Sequence, residues 1–224
     1  MSQQVAIFDL DDTLICGDSS QFWTHYLWEK GIITDPHFIE ADQKMISDYC
    51  AGKLNMQEYL ATNLQALSQI PHEQIDIWLT DFVETKIKPV FYPAAKKQLD
   101  IYRHQNIPVI IISATVSFVV KKIATAFGVQ TAMGIDMVMK DGCYTGDIQG
   151  IPTFREGKVA RLQQWLAEQN LSPQHIYFYT DSANDLPMCR FASEVFTVNP
   201  DRQLRAAAKA HGWKQLNWAL ASRT

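Results

Sequence analysis

Two aspartates with one residue between them, Asp9 and Asp11, follow the short apolar run Val5-Ala6-Ile7-Phe8, and a second acidic pair, Asp181 and Asp185, follows Ile176-Tyr177-Phe178-Tyr179-Thr180. A third apolar run, Ile107 to Ile112, stops at Ser113, and Lys158 stands in Arg155-Glu156-Gly157-Lys158 at the start of a helical pattern. Four carboxylates pooled at one place repel and raise one another's pKa unless a hard cation sits among them. Mg²⁺ meets that demand, because it accepts a few carboxylate oxygens, keeps several waters and bridges to phosphate oxygens. A phosphoryl group in turn needs donors and positive charge around its equatorial oxygens. Lys158, Ser113 and the backbone N–H groups that begin at Ala114 are the candidates.

Those residues can meet only if the elements carrying them converge. The three apolar runs, with Val195 to Val198 as a fourth, read as fully buried strands. Helix-period segments separate them at about 117–127, 156–169 and 202–211, the last closed by Gly212. Strands alternating with helices predict a doubly wound α/β fold with a parallel sheet covered on both faces. In such a sheet ligands bind beyond the carboxyl ends of the strands, the edge where Asp9, Asp11, Thr13, Ser113, Asp181 and Asp185 all fall.

Residues 17–85 break the alternation. Apolar positions recur there at helical spacing: Phe22, Trp23, Tyr26 and Leu27; Phe38, Ile39, Met45, Ile46 and Tyr49; Met56, Leu60, Leu64 and Leu67; Ile75, Leu79, Phe82 and Val83. Asp35-Pro36 and Ile70-Pro71 punctuate helix starts. The expectation is a catalytic core of residues 1–16 and 86–224 with a helical cap, 17–85, inserted after the first strand. Residues 135–150 alternate apolar and polar around Lys140-Asp141-Gly142, a hairpin signal.

Composition narrows the partners. A net charge of −4 and no long basic run argue against nucleic acid. Cys16, Cys50, Cys143 and Cys189 have no C-x-x-C spacing, and the histidines share no ligand spacing, which leaves no zinc signature and no disulfide framework. The start of the chain lacks the features of a signal peptide, and the most apolar stretch, 107–120, is shorter than the ~20 residues of a membrane span. A cytoplasmic protein acting on a small soluble phosphomonoester, with no membrane partner, is expected.

In the order Asp9/Asp11, Ser113, Lys158, Asp181/Asp185 the chain resembles the haloacid dehalogenase-like phosphohydrolases over nearly its whole length. Gly52-Lys53-Leu54-Asn55 with Leu60, and Lys140-Asp141-Gly142 with Thr145-Gly146-Asp147, resemble its phosphoserine-phosphatase-like subgroup, which carries a helical cap after the first strand. The resemblance implies that Asp9 attacks phosphorus and that Asp11 is the general acid and base. It implies Mg²⁺ held by Asp9, the Asp11 backbone carbonyl, Asp181 and Asp185. Ser113, Ala114, Lys158 and Asn184 would bind the phosphoryl group, and Asp18, Met56 and Asn63 would set specificity from the cap.

Two departures bear on the substrate. Where phosphoserine phosphatases carry a Glu and a cap Arg, this chain has Asp18 and Asn63, so the substrate carboxylate lacks a bidentate guanidinium partner. That argues against phosphoserine, Asp18 would favour a cationic or hydroxylated leaving group, and because the subgroup includes histidinol-phosphatase-like chains the resemblance implies histidinol phosphate or another amino-alcohol phosphate as candidates. Ala114-Thr115 stand where the family often has two glycines. The rival readings are a phosphotransferase or mutase, a receiver-like phosphoacceptor module, and a catalytically silent binding protein.

Overall fold

The strand-forming runs pair side by side into one sheet. The computed structural model describes residues 4–35 and 56–220, without the side chains of Tyr59 and of Ala61 to Asn63. In chain order the strands are β1 (Gln4–Phe8), β2 (Val109–Val116), β3 (Thr131–Ile135), β4 (Met137–Lys140), β5 (Cys143–Ile148), β6 (His175–Thr180), β7 (Glu194–Val198) and β8 (Lys214–Leu216). Six of them form a sheet in the order β3-β2-β1-β6-β7-β8, parallel at every pairing.

The helices are α1 (Ser19–Glu29), α2 (Met56–Gln65), α3 (His72–Phe82), α4 (Pro93–His104), α5 (Ser117–Ala126), α6 (Glu156–Glu168), α7 (Leu186–Phe191) and α8 (Arg202–His211). Caps set several of the boundaries. Asp18 accepts from Gln21 N at the start of α1 and Asp201 from Leu204 N at the start of α8, which Gly212 closes in the left-handed region. No helix among the described residues is long and apolar enough to cross a membrane.

Alternation along the strands divides the apolar side chains between the two faces of the sheet. Ala6, Phe8, Ile111 and Tyr179 join one buried cluster with α4 and α5. Val5, Ile7, Ile110, Ile112, Ile176 and Phe178 join the other with α6, α7 and α8. Three of the four apolar stripes of the insert are in the described residues, and Trp23, Tyr26, Leu27, Leu60, Leu64, Leu67, Ile75, Leu79 and Phe82 lie in the same cluster as Phe8. The stripe from Phe38 to Tyr49, Pro36, and the string Gly52-Lys53-Leu54-Asn55 lie outside the described residues.

The hairpin forms as β4 and β5, turned at Asp141 and Gly142 with φ of 50° and 78°, as a two-residue hairpin turn requires. Its position was not expected: it docks on the insert, with His72 N donating to Gly142 O (2.9 Å) and Gln57 Nε2 to Gly146 O (2.8 Å). A second difference concerns β2. Ser113 does not end it; the strand continues to Val116, which pairs with Ile135 after a register shift. The β-branched Thr115 and Val116 favour that extension, and it keeps Ser113 and Thr115 buried.

Candidate active site

β1 lies where the strand order reverses, between β2 and β6, and the crevice beyond its carboxyl end is the topological switch point of the sheet. Asp9 is the first residue past β1. Its backbone N–H is fixed to Tyr179 O (2.9 Å), and its side chain is buried. Lys158 reaches across from the first turn of α6: its Nζ donates to Asp9 Oδ1 and to the Asp185 carboxylate, each at 2.8 Å. Asp9 Oδ2 takes no hydrogen bond among the described residues.

The position of Lys158 depends on Gly157. A Cβ there would meet Pro152 O at 1.9 Å, so only glycine lets α6 start this close to the preceding loop. Arg155 before it holds φ 52° and ψ −121°, a strained setting for a residue with a side chain. It is tied down by its Nε bond to Asn184 Oδ1 (3.3 Å) and by lying over the Phe154 ring.

Asp11 points toward β2 and α1. Its carboxylate accepts from Ser19 N (2.6 Å), Thr115 Oγ1 (2.9 Å) and Ser113 Oγ (3.2 Å). Asp185 is buried and also accepts from Thr180 Oγ1 at 2.8 Å, while Asp181 accepts from Thr13 Oγ1 at 3.3 Å. Thr153 Oγ1 donates to Ser113 O (2.5 Å) and ties β2 to the loop before α6.

Lys158 bonds two of the four carboxylates gathered here, and the electrostatics show the excess of acid. Burial pushes Asp9 up to about 7, with Asp185 and Asp11 adding to the push and Lys158 opposing it. Asp181 is raised well above the carboxylate range, first by burial and then by Asp9, Asp12 and Asp185. Burial works against the Lys158 charge, but Asp185 and Asp9 outweigh it and hold the ammonium above its usual range. Among the described residues no three His, Cys, Asp or Glu side chains converge as a ligand cage. Asp185 is committed to Lys158 and Thr180, which leaves Asp9 and Asp181 as the side-chain oxygens able to take a cation. Two carboxylates supplemented by a main-chain carbonyl such as that of Asp11 form a hard-oxygen donor set, and Mg²⁺ binds through one or two carboxylates plus waters.

The structure thus brings Asp9, Asp11, Ser113, Lys158, Asn184, Asp181 and Asp185 to one crevice, with Ala114 in the same strand end. Asp18 caps α1 close enough to Asp11 to be raised to about 8, by burial first and Asp11 second. Met56 starts α2 and packs against the large apolar cluster, and the Asn63 side chain lies outside the described residues. Sequence reasoning missed Ser19, Thr115 and Thr180 as partners of the acids, and Thr153 as the partner of Ser113 O. Their spacing carries no signal, although Thr115 and Thr180 could have been found as hydroxyls at the ends of the strands that flank β1.

The family model of the haloacid dehalogenase-like hydrolases matches residues 6–190, which span every residue placed in this crevice. The chain belongs to the haloacid dehalogenase-like hydrolases. This hydrolase is 35% identical over 220 residues to the histidinol-phosphatase of Neisseria meningitidis serogroup C (strain 8013), covering 96% of this chain and 99% of the relative. A Bordetella pertussis Tohama I protein of unknown function has a crystal structure similar to it at TM-score 0.89 and 33% identity, covering 96% of this chain and 99% of that one. A phosphoserine phosphatase solved as a phospho-aspartyl intermediate analogue shares the fold at TM-score 0.69 and 19% identity, covering 96% and 94%.

Proposed function

We propose that this hydrolase is a Mg²⁺-dependent phosphomonoesterase that works through an aspartyl-phosphate on Asp9. The observation that carries the reading is the buried Asp9 at the switch point, held at 2.8 Å by a lysine that also grips Asp185. Lys158 occupies one carboxylate oxygen and fixes its direction, so the other, Oδ2, is the nucleophile. Attack forms an oxygen–phosphorus bond and breaks the ester bond, and Asp11 gives a proton to the departing alkoxide. In the second step Asp11 takes a proton from water, the water oxygen bonds to phosphorus, and Asp9 is restored. Ser113, the N–H of Ala114, Lys158 and Asn184 bind the phosphoryl oxygens throughout. Asp9, the Asp11 carbonyl and Asp181, with Asp185 nearby, would hold Mg²⁺, which would supply charge neutralisation for phosphate and carboxylates.

The cap consists of residues 17–85 together with the β4–β5 hairpin that docks on it. The substrate is an amino-alcohol phosphate, with histidinol phosphate the leading case. The Neisseria relative's activity supports it. Among the described residues no cationic side chain lines the cavity beside Thr115 to receive the carboxylate of phosphoserine.

The test is phosphate release from histidinol phosphate, phosphoserine and phosphocholine, with and without Mg²⁺, by the intact protein and by Asp9→Asn. Metal-dependent release highest with histidinol phosphate, and absent in Asp9→Asn, is expected. Release that Asp9→Asn leaves intact would overturn the mechanism, and release requiring an added alcohol would make the protein a phosphotransferase.

A further inference from the structure

The chain makes a tight turn immediately before α6. Gly157 N donates to Phe154 O (2.9 Å), and Arg155 holds φ 52° and ψ −121°, so residues 154–157 form a type II′ turn with Arg155 at its first central position. That position belongs to glycine, because a Cβ crowds the backbone at these angles. Every other positive φ among the described residues falls on Gly, Asn or Asp, the types that bear it best. Arg155 alone departs from that rule, and Lys158 follows it in the first turn of α6. A side chain kept where its backbone is strained points to a use for that side chain.

The contacts of Arg155 show the use. Its Nε donates to Asn184 Oδ1 (3.3 Å), and the guanidinium lies 4.9 Å from the centroid of the Phe154 ring. Asn184 sits on the short turn Ala183–Asp185, between Asp181, which feels the charge of Asp9, and Asp185, which bonds Lys158. A guanidinium only donates, so the end of the Asn184 amide that meets it is the oxygen. The amide nitrogen bonds no other described residue, while the backbone N–H of Asn184 is taken by Ser182 Oγ.

We infer that Arg155 is a positioning residue for phosphoryl recognition: by holding the oxygen of the Asn184 amide, it keeps the NH₂ group as the end offered to the phosphoryl oxygens. The inference rests on the phosphomonoesterase reading, in which Asn184 binds one of those oxygens. Without Arg155 the amide is free to turn over, and its oxygen would then meet the phosphoryl oxygens as one acceptor meeting another. Orienting one amide is the return on the strain in the turn.

Arg155→Gly is a clean test, because glycine suits the turn and leaves Gly157 and Lys158 in place. The probe is inorganic phosphate, titrated by calorimetry in the presence of Mg²⁺, beside phosphate release from histidinol phosphate. In Arg155→Gly the Kd for phosphate should rise and kcat/KM should fall by roughly tenfold, the worth of one hydrogen bond, while the melting temperature holds or rises. Asn184→Ala should weaken phosphate binding too, and adding Arg155→Gly to it should weaken binding no further, since the arginine acts through the amide. Unchanged phosphate affinity in Arg155→Gly would overturn the inference and make the arginine a tie between two loops. A further loss in the double variant would overturn it as well, by showing that Arg155 meets the anion itself. The same titration separates this failure from that of the phosphatase reading. An intact protein that releases no phosphate but binds it with the predicted pattern would sink the phosphatase reading alone; one that neither releases nor binds it would sink both.

Discussion

Lys158 is the residue on which the crevice depends most, because it is the cation that two buried carboxylates share. Removing one partner of a buried ion pair leaves uncompensated charge and costs about 3–5 kcal/mol. Lys158→Met should therefore lower the urea midpoint substantially and abolish turnover, and its stability should recover as pH falls from 7 to 5 and the orphaned acids take protons. A midpoint that did not respond to pH would contradict this. Asp9 gives a complementary prediction for the metal. Its folded pKa is raised from 3.8 to about 7, so in metal-free protein its contribution is present below pH ~4 and is lost as pH rises toward 7. Mg²⁺ binds the ionised form, so the rise in melting temperature on adding Mg²⁺ should be small at pH 5.5 and grow through pH 7. Asp9→Asn should suppress most of the rise; a pH-independent rise would show that the ion binds elsewhere.

At the scale of elements, the crevice is made by three strand ends and one helix start. Gly157→Ala would drive a methyl into Pro152 O and displace the first turn of α6, and with it Lys158. A loss of ~2–4 kcal/mol and of most activity is expected from denaturation and phosphate-release assays. Thr115→Val keeps the shape of β2 but removes a hydroxyl bonded to Asp11, so it should lower kcat by about tenfold with little change in stability. A large loss of stability with kcat preserved would make Thr115 structural only. These elements were largely legible in the sequence. The runs ending at Asp9 and Asp181 are apolar, β-rich and closed by acidic turns, and their strands end where the reading put them. β2 was misjudged because Ser113 reads as a terminator, while the β-branched residues after it continue the ladder. β8, a short edge strand of exposed and half-buried residues, and α4, with its largely polar sequence, left too little apolar pattern to be noticed. Thr115 and Thr180 were overlooked although both are hydroxyls near the ends of strands flanking β1, whereas Thr153 meets Ser113 O only through tertiary folding, which no spacing announces.

For the molecule as a whole, the insert and the sheet share one apolar cluster that runs from Phe8 and Leu14 through Trp23, Tyr26 and Phe82. A continuous core favours cooperative loss, so heating should give a single transition followed alike by aromatic and backbone signals. Phe82→Ala, which removes a fully buried ring packed against Trp23 and Tyr26, should cost ~3–5 kcal/mol. Two separate transitions would show instead that the insert melts independently.

The central claim is that phosphate passes through Asp9. The most direct measurement is to quench the protein in acid during turnover of histidinol phosphate with Mg²⁺ and to locate any phosphoryl group by mass spectrometry of the peptides. A phosphoryl group on the peptide carrying Asp9, absent in Asp9→Asn, is the predicted result. Steady phosphate release with every quenched peptide unmodified, or a phosphoryl group on another residue, would contradict it.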